Sequence, residues 1–265
     1  MGGVLSERAG VVNIALEGLI LAGAFTGIWA GEGSAVVGLL AAVGMGALLG
    51  LLHAFLTQNT RMNHVVSGLG INLLVAGATR YLFLRLFPEG RQIAGLSPGL
   101  FLFLAVFLPF ALMLLLQKTR FGLRLRAVGE NPESVRMTGI APVPIRYAAV
   151  VLSGMLASLA GAYLSMADAH RFSSNMSAGK GYIALAAVIF GKWNPLGAAL
   201  GALFFGFFYA LQTQMQLLNI HLKWLGIEWT SPFLLDMLPY LMTLAALISV
   251  VGRATPPAAL GQEEV

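Results

Sequence analysis

The stretch SPGLFLFLAVFLPFALMLLLQKTRFGLRLR, residues 97–126, decides the fold class. No charged residue occurs between Ser97 and Gln117, and then Lys118, Arg120, Arg124 and Arg126 crowd the next nine positions. An uncharged run of about 20 residues is long enough to cross a bilayer as a helix. A basic cluster directly after it marks the cytoplasmic side by the positive-inside rule. The whole chain agrees with this reading: 58% of its 265 residues are hydrophobic and 10% are charged, with a mean hydropathy of +0.81. A soluble domain carries about a quarter charged residues and could not hide so much apolar surface in one core. The same composition excludes intrinsic disorder. The 32 glycines fit close helix contacts in lipid. With no cysteine, the chain has no disulfide framework, thiolate metal site or cysteine nucleophile.

Working outward, eight candidate spans emerge: Asn13–Ala30, Ser34–Leu56, His64–Leu86, Ser97–Gln117, Pro144–Met166, Met176–Gly191, Pro195–Leu217 and Pro232–Val251. The sixth is short, with Gly181 to Gly191 uncharged between Lys180 and Lys192, and reads either as a re-entrant half-helix or as a short span. The expected fold is an all-α polytopic membrane protein, a bundle of about eight transmembrane helices in one domain over residues 1–252. Alternation from the cluster that also includes Arg136 and Arg146 puts Arg8, Arg61, Lys192 and Arg253 on the cytoplasmic side. Arg80, Arg85, Arg91, Arg171, Lys180 and Lys223 fall on the other. Both ends then lie in the cytoplasm, and residues 253–265, Pro-rich and then acidic, read as a disordered tail. The start MGGVLS fits an N-myristoylation pattern, but one acyl chain adds little to a multi-span protein. Small-xxx-small spacings at Gly23/Gly27/Gly31, Gly46/Gly50, Ala157/Gly161 and Gly197/Gly201 predict close helix crossings, inside the bundle or between subunits. Pro109 and Pro239 should kink their helices.

The connection from Lys118 to Arg146 has internal structure. In RAVGENPESVRMTGIAP, Asn131 suits an N-cap and Pro132 the first helical position. Glu133 and Arg136 complement the two ends of the helix dipole, and Gly139 can take a left-handed C-terminal conformation. The pattern predicts a short capped helix over Pro132–Thr138. Two turns are not stable alone in water, so the helix is either a solvated connector or docks into a groove of a partner.

ERAGVVNIALEGLILAGAF (Glu7–Phe25), RAVGENPESVRMTGI (Arg126–Ile140) and GKGYIALAAVIFGKWNPLGAALGALFFG (Gly179–Gly206) together resemble permease subunits of bacterial ABC importers. The family includes branched-chain amino acid, simple sugar and nucleoside permeases, and the resemblance, from about Leu5 to Gly252, is strongest to the nucleoside branch with BMP-type lipoprotein receptors. It implies that the short helix, with Gly129, Glu130, Asn131, Pro132, Glu133, Arg136 and Gly139, is the coupling helix that docks on an ATPase subunit. It also implies a second permease subunit, identical or paralogous, an extracytoplasmic substrate-binding lipoprotein, and a site in the bacterial cytoplasmic membrane. Family members usually carry a further membrane helix before the SERAGVVNIALEG block, and Met1–Leu5 looks like its tail.

No G-x-x-x-x-G-K-[ST] loop occurs, so any ATP is expected on another chain and no cofactor on this one. His53, His64, His170 and His221 are scattered, without metal-ligand spacing, and no hydrolytic triad is suggested. No nucleic-acid partner is expected. Polar residues inside spans are the remaining clues, since a mid-span acid costs roughly 2.5–3.5 kcal/mol on insertion scales. Asn13 and Glu17, four apart, either line the translocation route or form a structural pair at a helix start. Asn72, with His64 and Ser67 below it, either bonds a permeating ribose or base or ties two helices together. Asp236 and Arg80 could pair or merely snorkel; Gln212, Gln214 and Gln216 sit where a receptor could dock.

The expected function is the permease subunit of an ATP-driven importer of nucleosides. Simple sugars or branched-chain amino acids are the alternative cargo. Outside that class the rivals are an ion-coupled secondary transporter, with Glu17 or Asp236 as the coupling carboxylate, and a scaffolding membrane protein.

Overall fold

The computed structural model describes residues 1–86, 96–217 and 254–262, together with positions 223–224, 227–228, 237 and 241. Ten α-helices follow in order among the described residues: α1 (Gly2–Arg8), α2 (Leu16–Ala30), α3 (Ala35–Gln58), α4 (His64–Leu86), α5 (Pro98–Lys118), α6 (Arg120–Glu130), α7 (Pro132–Met137), α8 (Pro142–Ala162), α9 (Lys180–Phe190) and α10 (Pro195–Leu217). A π-helical segment, Tyr163–Asp168, prolongs α8. Two-residue strands β1 (Lys223–Trp224) and β2 (Ile227–Glu228) pair antiparallel. Among the described residues five helices are long and apolar enough to span a membrane. The protein is an all-α polytopic membrane protein.

The uncharged runs set the long helices. The expected spans His64–Leu86 and Pro195–Leu217 coincide with α4 and α10, and those for α3 and α5 differ by one or two residues. Pro109 lies inside α5. The eighth expected span, Pro232–Val251 with Asp236 and Pro239, lies outside the described residues apart from positions 237 and 241, as do Arg91, His221 and Arg253.

At the centre stands α2. Its residues from Gly18 to Ile28 are all buried, enclosed by α3, α4, α8 and α9. The small residues serve internal crossings. A Cβ on Gly161 would fall 1.9 Å from Ile20 O, and one on Gly23 would fall 2.1 Å from Ser158 O. Ser158 Oγ donates to Leu19 O across the same contact at 2.8 Å. Gly46 meets Gly154 O, and Gly197 meets Gly191 O, in the same way.

Two helices are half-helices, too short to cross the hydrocarbon core. At about 1.5 Å per residue, α2 (15 residues) and α9 (11 residues) reach about 22 and 16 Å, against a hydrocarbon core of about 30 Å. The doubtful sixth segment is a half-helix that begins against Glu17 and ends at Phe190, and the turn after it brings Trp193 beside Arg8. Residues 169–179 reach it without regular helix, from Phe172, which packs on Phe25 and Phe83, to Ser177, which is fully buried. Only Phe172 and Ser177 of this segment are buried; the residues between and around them are exposed or half-buried.

One end of the bundle gathers the basic connections. Arg8 bonds Trp193 O and approaches Glu130, Tyr147 bonds Asn59, and Arg146 bonds Gln58. Three features there are added by the structure. Residues 120–130, in the connection that starts at Lys118, form α6, whose Gly122, Leu125 and Val128 are buried. Arg146, a member of the basic cluster, is 1% exposed. Residues 254–262, expected to be disordered, lie against the protein, with the Ala259 N–H donating to Gly129 O and the Gly261 N–H to Gly10 O.

Candidate translocation and coupling sites

Glu17 sits in the first turn of α2, and both its carboxylate oxygens are taken by the start of α9. Oε1 accepts the Gly179 N–H at 2.9 Å and Oε2 the Gly181 N–H at 2.7 Å. Gly179 is the N-cap of α9 with φ +81°, a left-handed conformation that glycine adopts without strain. A carboxylate there satisfies helix N–H groups that otherwise have no partner and meets the positive end of the α9 dipole. The backbone of one half-helix thereby solvates the acid of the other.

The start of α2 has no side-chain cap of its own. Asn72, from α4, supplies one: its Oδ1 accepts the Gly18 N–H at 2.7 Å. Its Nδ2 donates to Ile14 O at 3.0 Å and to the Tyr182 hydroxyl at 3.1 Å. Asn72 therefore joins α4, α2 and α9. Asn13 lies before the helix rather than on a shared helical face with Glu17. It is fully buried and donates to Ser153 Oγ on α8 at 2.9 Å, while its Oδ1 has no partner among the described residues. The Asn13–Glu17 pair is thus two separate anchors, one on α8 and one on α9.

The α1–α2 connection, residues 9–15, is held from three sides. His53 Nε2 faces Val12 O at 3.2 Å and its Nδ1 faces Ser67 Oγ at 2.9 Å. Only the tautomer with hydrogen on Nε2 serves the carbonyl. His64 Nδ1 accepts the Val12 N–H at 3.3 Å, so that nitrogen is unprotonated. Arg146 Nε donates to Ala9 O at 3.2 Å and Nη1 to Gln58 Oε1 at 3.2 Å. Just before the connection, buried Glu7 accepts the Trp193 indole N–H.

The segment around α7 has the capped-helix geometry that its residues predict. Asn131 caps α7 by accepting the Ser134 N–H at 2.9 Å, Pro132 opens the helix, and Gly139 has φ +80°. The helix ends at Met137, with Thr138 as C-cap. Val135 is its one buried residue, set in a cluster with Leu125, Val128 and Ile145. Glu133, Ser134, Arg136 and Met137 face outward, Met137 at 80% exposure. A Cβ on Gly129 would lie 2.0 Å from Arg8 O, so the segment abuts the end of α1.

The residues that complete these sites but escaped the sequence reading are Tyr182, Gly179, Gly181, Ser153, His53 and Trp193. The paired glycines around Lys180, at the head of a short apolar run, were the one local signal; the others are joined only by the fold. Among the described residues no group of three or more His, Cys, Asp or Glu could hold a metal.

Residues 1–247 match the family described as branched-chain amino acid transport system / permease component. The chain is 37% identical to the guanosine ABC transporter permease protein NupQ of Bacillus subtilis, over 98% of this chain and 90% of that protein. It is 36% identical to the nucleoside ABC transporter permease protein NupC of Lactococcus lactis, over the same shares. The ribose import permease protein RbsC of Escherichia coli is 30% identical over 73% of this chain and 65% of its own length. No solved structure matches at a significant level. A central half-helix, a second half-helix abutting it and a capped helix at the basic end are therefore features of a chain that belongs to this family of permease components.

Proposed function

We propose that the chain is the transmembrane permease subunit of an ATP-driven importer of nucleosides in a bacterial cytoplasmic membrane. The observation that carries the cargo is the near full-length similarity to NupQ and NupC, beside the shorter match to a ribose permease. A second permease subunit, an ATPase and an external substrate-binding lipoprotein complete the assembly in this reading. The ATPase grips α7, whose outward face carries Glu133, Arg136 and Met137. ATP-driven closure of that subunit shifts α7 and the α1–α2 connection behind it. The two half-helices then change their relation at Glu17, and access alternates from one face to the other. Discontinuous helices with their ends at mid-depth are the form in which many transporters place a substrate path.

The test is uptake by proteoliposomes holding the full complex. Internal ATP should drive accumulation of labelled guanosine, competed by other nucleosides and not by ribose or leucine. Accumulation of ribose or leucine instead would overturn the cargo. Accumulation by this chain alone under an ion gradient would overturn the class.

A further inference from the structure

We propose that residues 254–262 form a strap that ties the coupling segment to the α1–α2 connection and lets α7 pull on the Glu17 contact as well as push it. The inference rests on the reading of α7 as the ATPase-docking helix. Three backbone donors make the tie. The Ala259 N–H bonds Gly129 O at 2.9 Å, the Ala258 N–H bonds Glu130 Oε2 at 3.3 Å, and the Gly261 N–H bonds Gly10 O at 3.0 Å. Ala259 is 3% exposed. Gly10 and Gly261 leave little room for anything larger: a Cβ on the first would lie 3.2 Å from Ala259 O, and one on the second 3.3 Å from Val12 Cγ2.

The strap therefore touches both members of the relay. Gly129 and Glu130 lie directly before the α7 cap, Asn131. Gly10 lies in the connection whose Val12 is gripped by His53 and His64, five residues before Glu17. The direct contacts between the two members are poorly suited to traction. Gly129 meets Arg8 O in close van der Waals contact, and Ala9 shares an apolar cluster with Leu125, Val128 and Val135, contacts that cohere without directional bonds. The Arg8–Glu130 pair is 3.9 Å apart and partly exposed, a geometry in which ion pairs contribute little. The strap's hydrogen bonds resist separation, so they transmit the return stroke.

The experiment uses the complete transporter with two changes in this chain: Ala259→Pro, which removes the donor to Gly129 O, and deletion of residues 254–265. Nucleoside uptake should fall about fivefold or more, the factor carried by one net hydrogen bond, while the ATPase co-purifies in full and basal hydrolysis is unchanged. Because the chain has no cysteine, Glu130→Cys with Ala258→Cys adds its only thiols. Bridging them with a short reducible cross-linker in the Ala259→Pro background should restore uptake, and thiol reduction should abolish it again. Full uptake by an assembled complex lacking 254–265 overturns the strap, and so does a bridge that restores nothing. If the deletion prevents assembly, the bridged pair decides alone. Charge reversal on α7, Glu133→Arg with Arg136→Glu, separates the two readings. Silent strap variants beside a dead α7 variant reject the strap and keep the coupling helix; silence in both rejects the coupling helix itself.

Discussion

Glu17 and Gly181 are locked twice over: Oε2 of the acid accepts the glycine N–H at 2.7 Å, and a Cβ on the glycine would fall 2.4 Å from the Glu17 nitrogen. The charge-assisted bond and the bare Cα depend on each other, because only glycine lets α9 approach closely enough for its N–H groups to reach the carboxylate. Hydrogen bonds to a charged group are worth about 1.5–3 kcal/mol each, and both of these are partly buried. The contact is thus firm when shut, and parting the half-helices requires replacement donors for the acid.

Gly181→Ala should force α9 away from α2. Overpacking of this kind costs about 1–3 kcal/mol. The expected result is a lower melting temperature of the detergent-solubilised protein, followed by size-exclusion chromatography after heating, with uptake reduced alongside it. Gly206→Ala, where a Cβ meets nothing within 4 Å, is the matched control and should leave both unchanged.

Replacing the acid separates charge from shape. Glu17→Ala leaves the Gly179 and Gly181 N–H groups without their acceptor, at about 1–3 kcal/mol for the buried Gly181 group and less for half-buried Gly179. Glu17→Gln keeps one acceptor oxygen but turns an NH2 toward the other donor. Melting temperatures should rank wild type above Gln and Gln above or equal to Ala, with nucleoside uptake lost in both variants. Full uptake by Glu17→Gln would show that the charge is dispensable.

The long helices were legible because nothing but an apolar run of bilayer length was needed to define α3, α4, α5 and α10. The capped α7 was equally legible, since Asn131, Pro132 and Gly139 act through their own backbone. Tertiary relations were not. Asn13 looked helical from its spacing to Glu17, but Ser153 holds its amide and His53, His64 and Arg146 clamp the connection open. Helix α6 was hidden by Arg120, Arg124 and Arg126 interrupting the apolar pattern, although Gly122, Leu125 and Val128 recur at three-residue intervals on its buried face. The tail's composition argued for fraying; its small residues are what allow it to lie against Gly10 and Gly129.

Asn131 and Gly139 test whether α7 must be folded to work. Asn131→Ala removes the cap, at about 1 kcal/mol, and Gly139→Ala forces a side chain into a left-handed conformation, at about 1–2 kcal/mol. Both should lower uptake and ATPase co-purification, while Asn131→Asp, which keeps the capping oxygen, should retain them. Limited proteolysis near residues 131–139 should be faster in the Ala variants, confirming that the local helix is what has loosened.

Asn72 distinguishes a helix tie from a solute contact. Its oxygen accepts from Gly18 and both its donors are engaged, by Ile14 O and the Tyr182 hydroxyl. An amide so occupied has one lone pair left to offer a passing nucleoside. Asn72→Ala leaves the Gly18 N–H and Ile14 O unpaired and should destabilise the protein by about 1–3 kcal/mol. Uptake should then fall through a lower maximal rate with an unchanged half-saturating nucleoside concentration. Tyr182→Phe removes only the outermost of these bonds, on a ring that is 45% exposed, and should keep the melting temperature within a degree or so of wild type on the same scale of about 1 kcal/mol or less for one solvated hydrogen bond. If Asn72→Ala instead raised the half-saturating concentration at normal stability, the amide would be reading the solute rather than bracing α2.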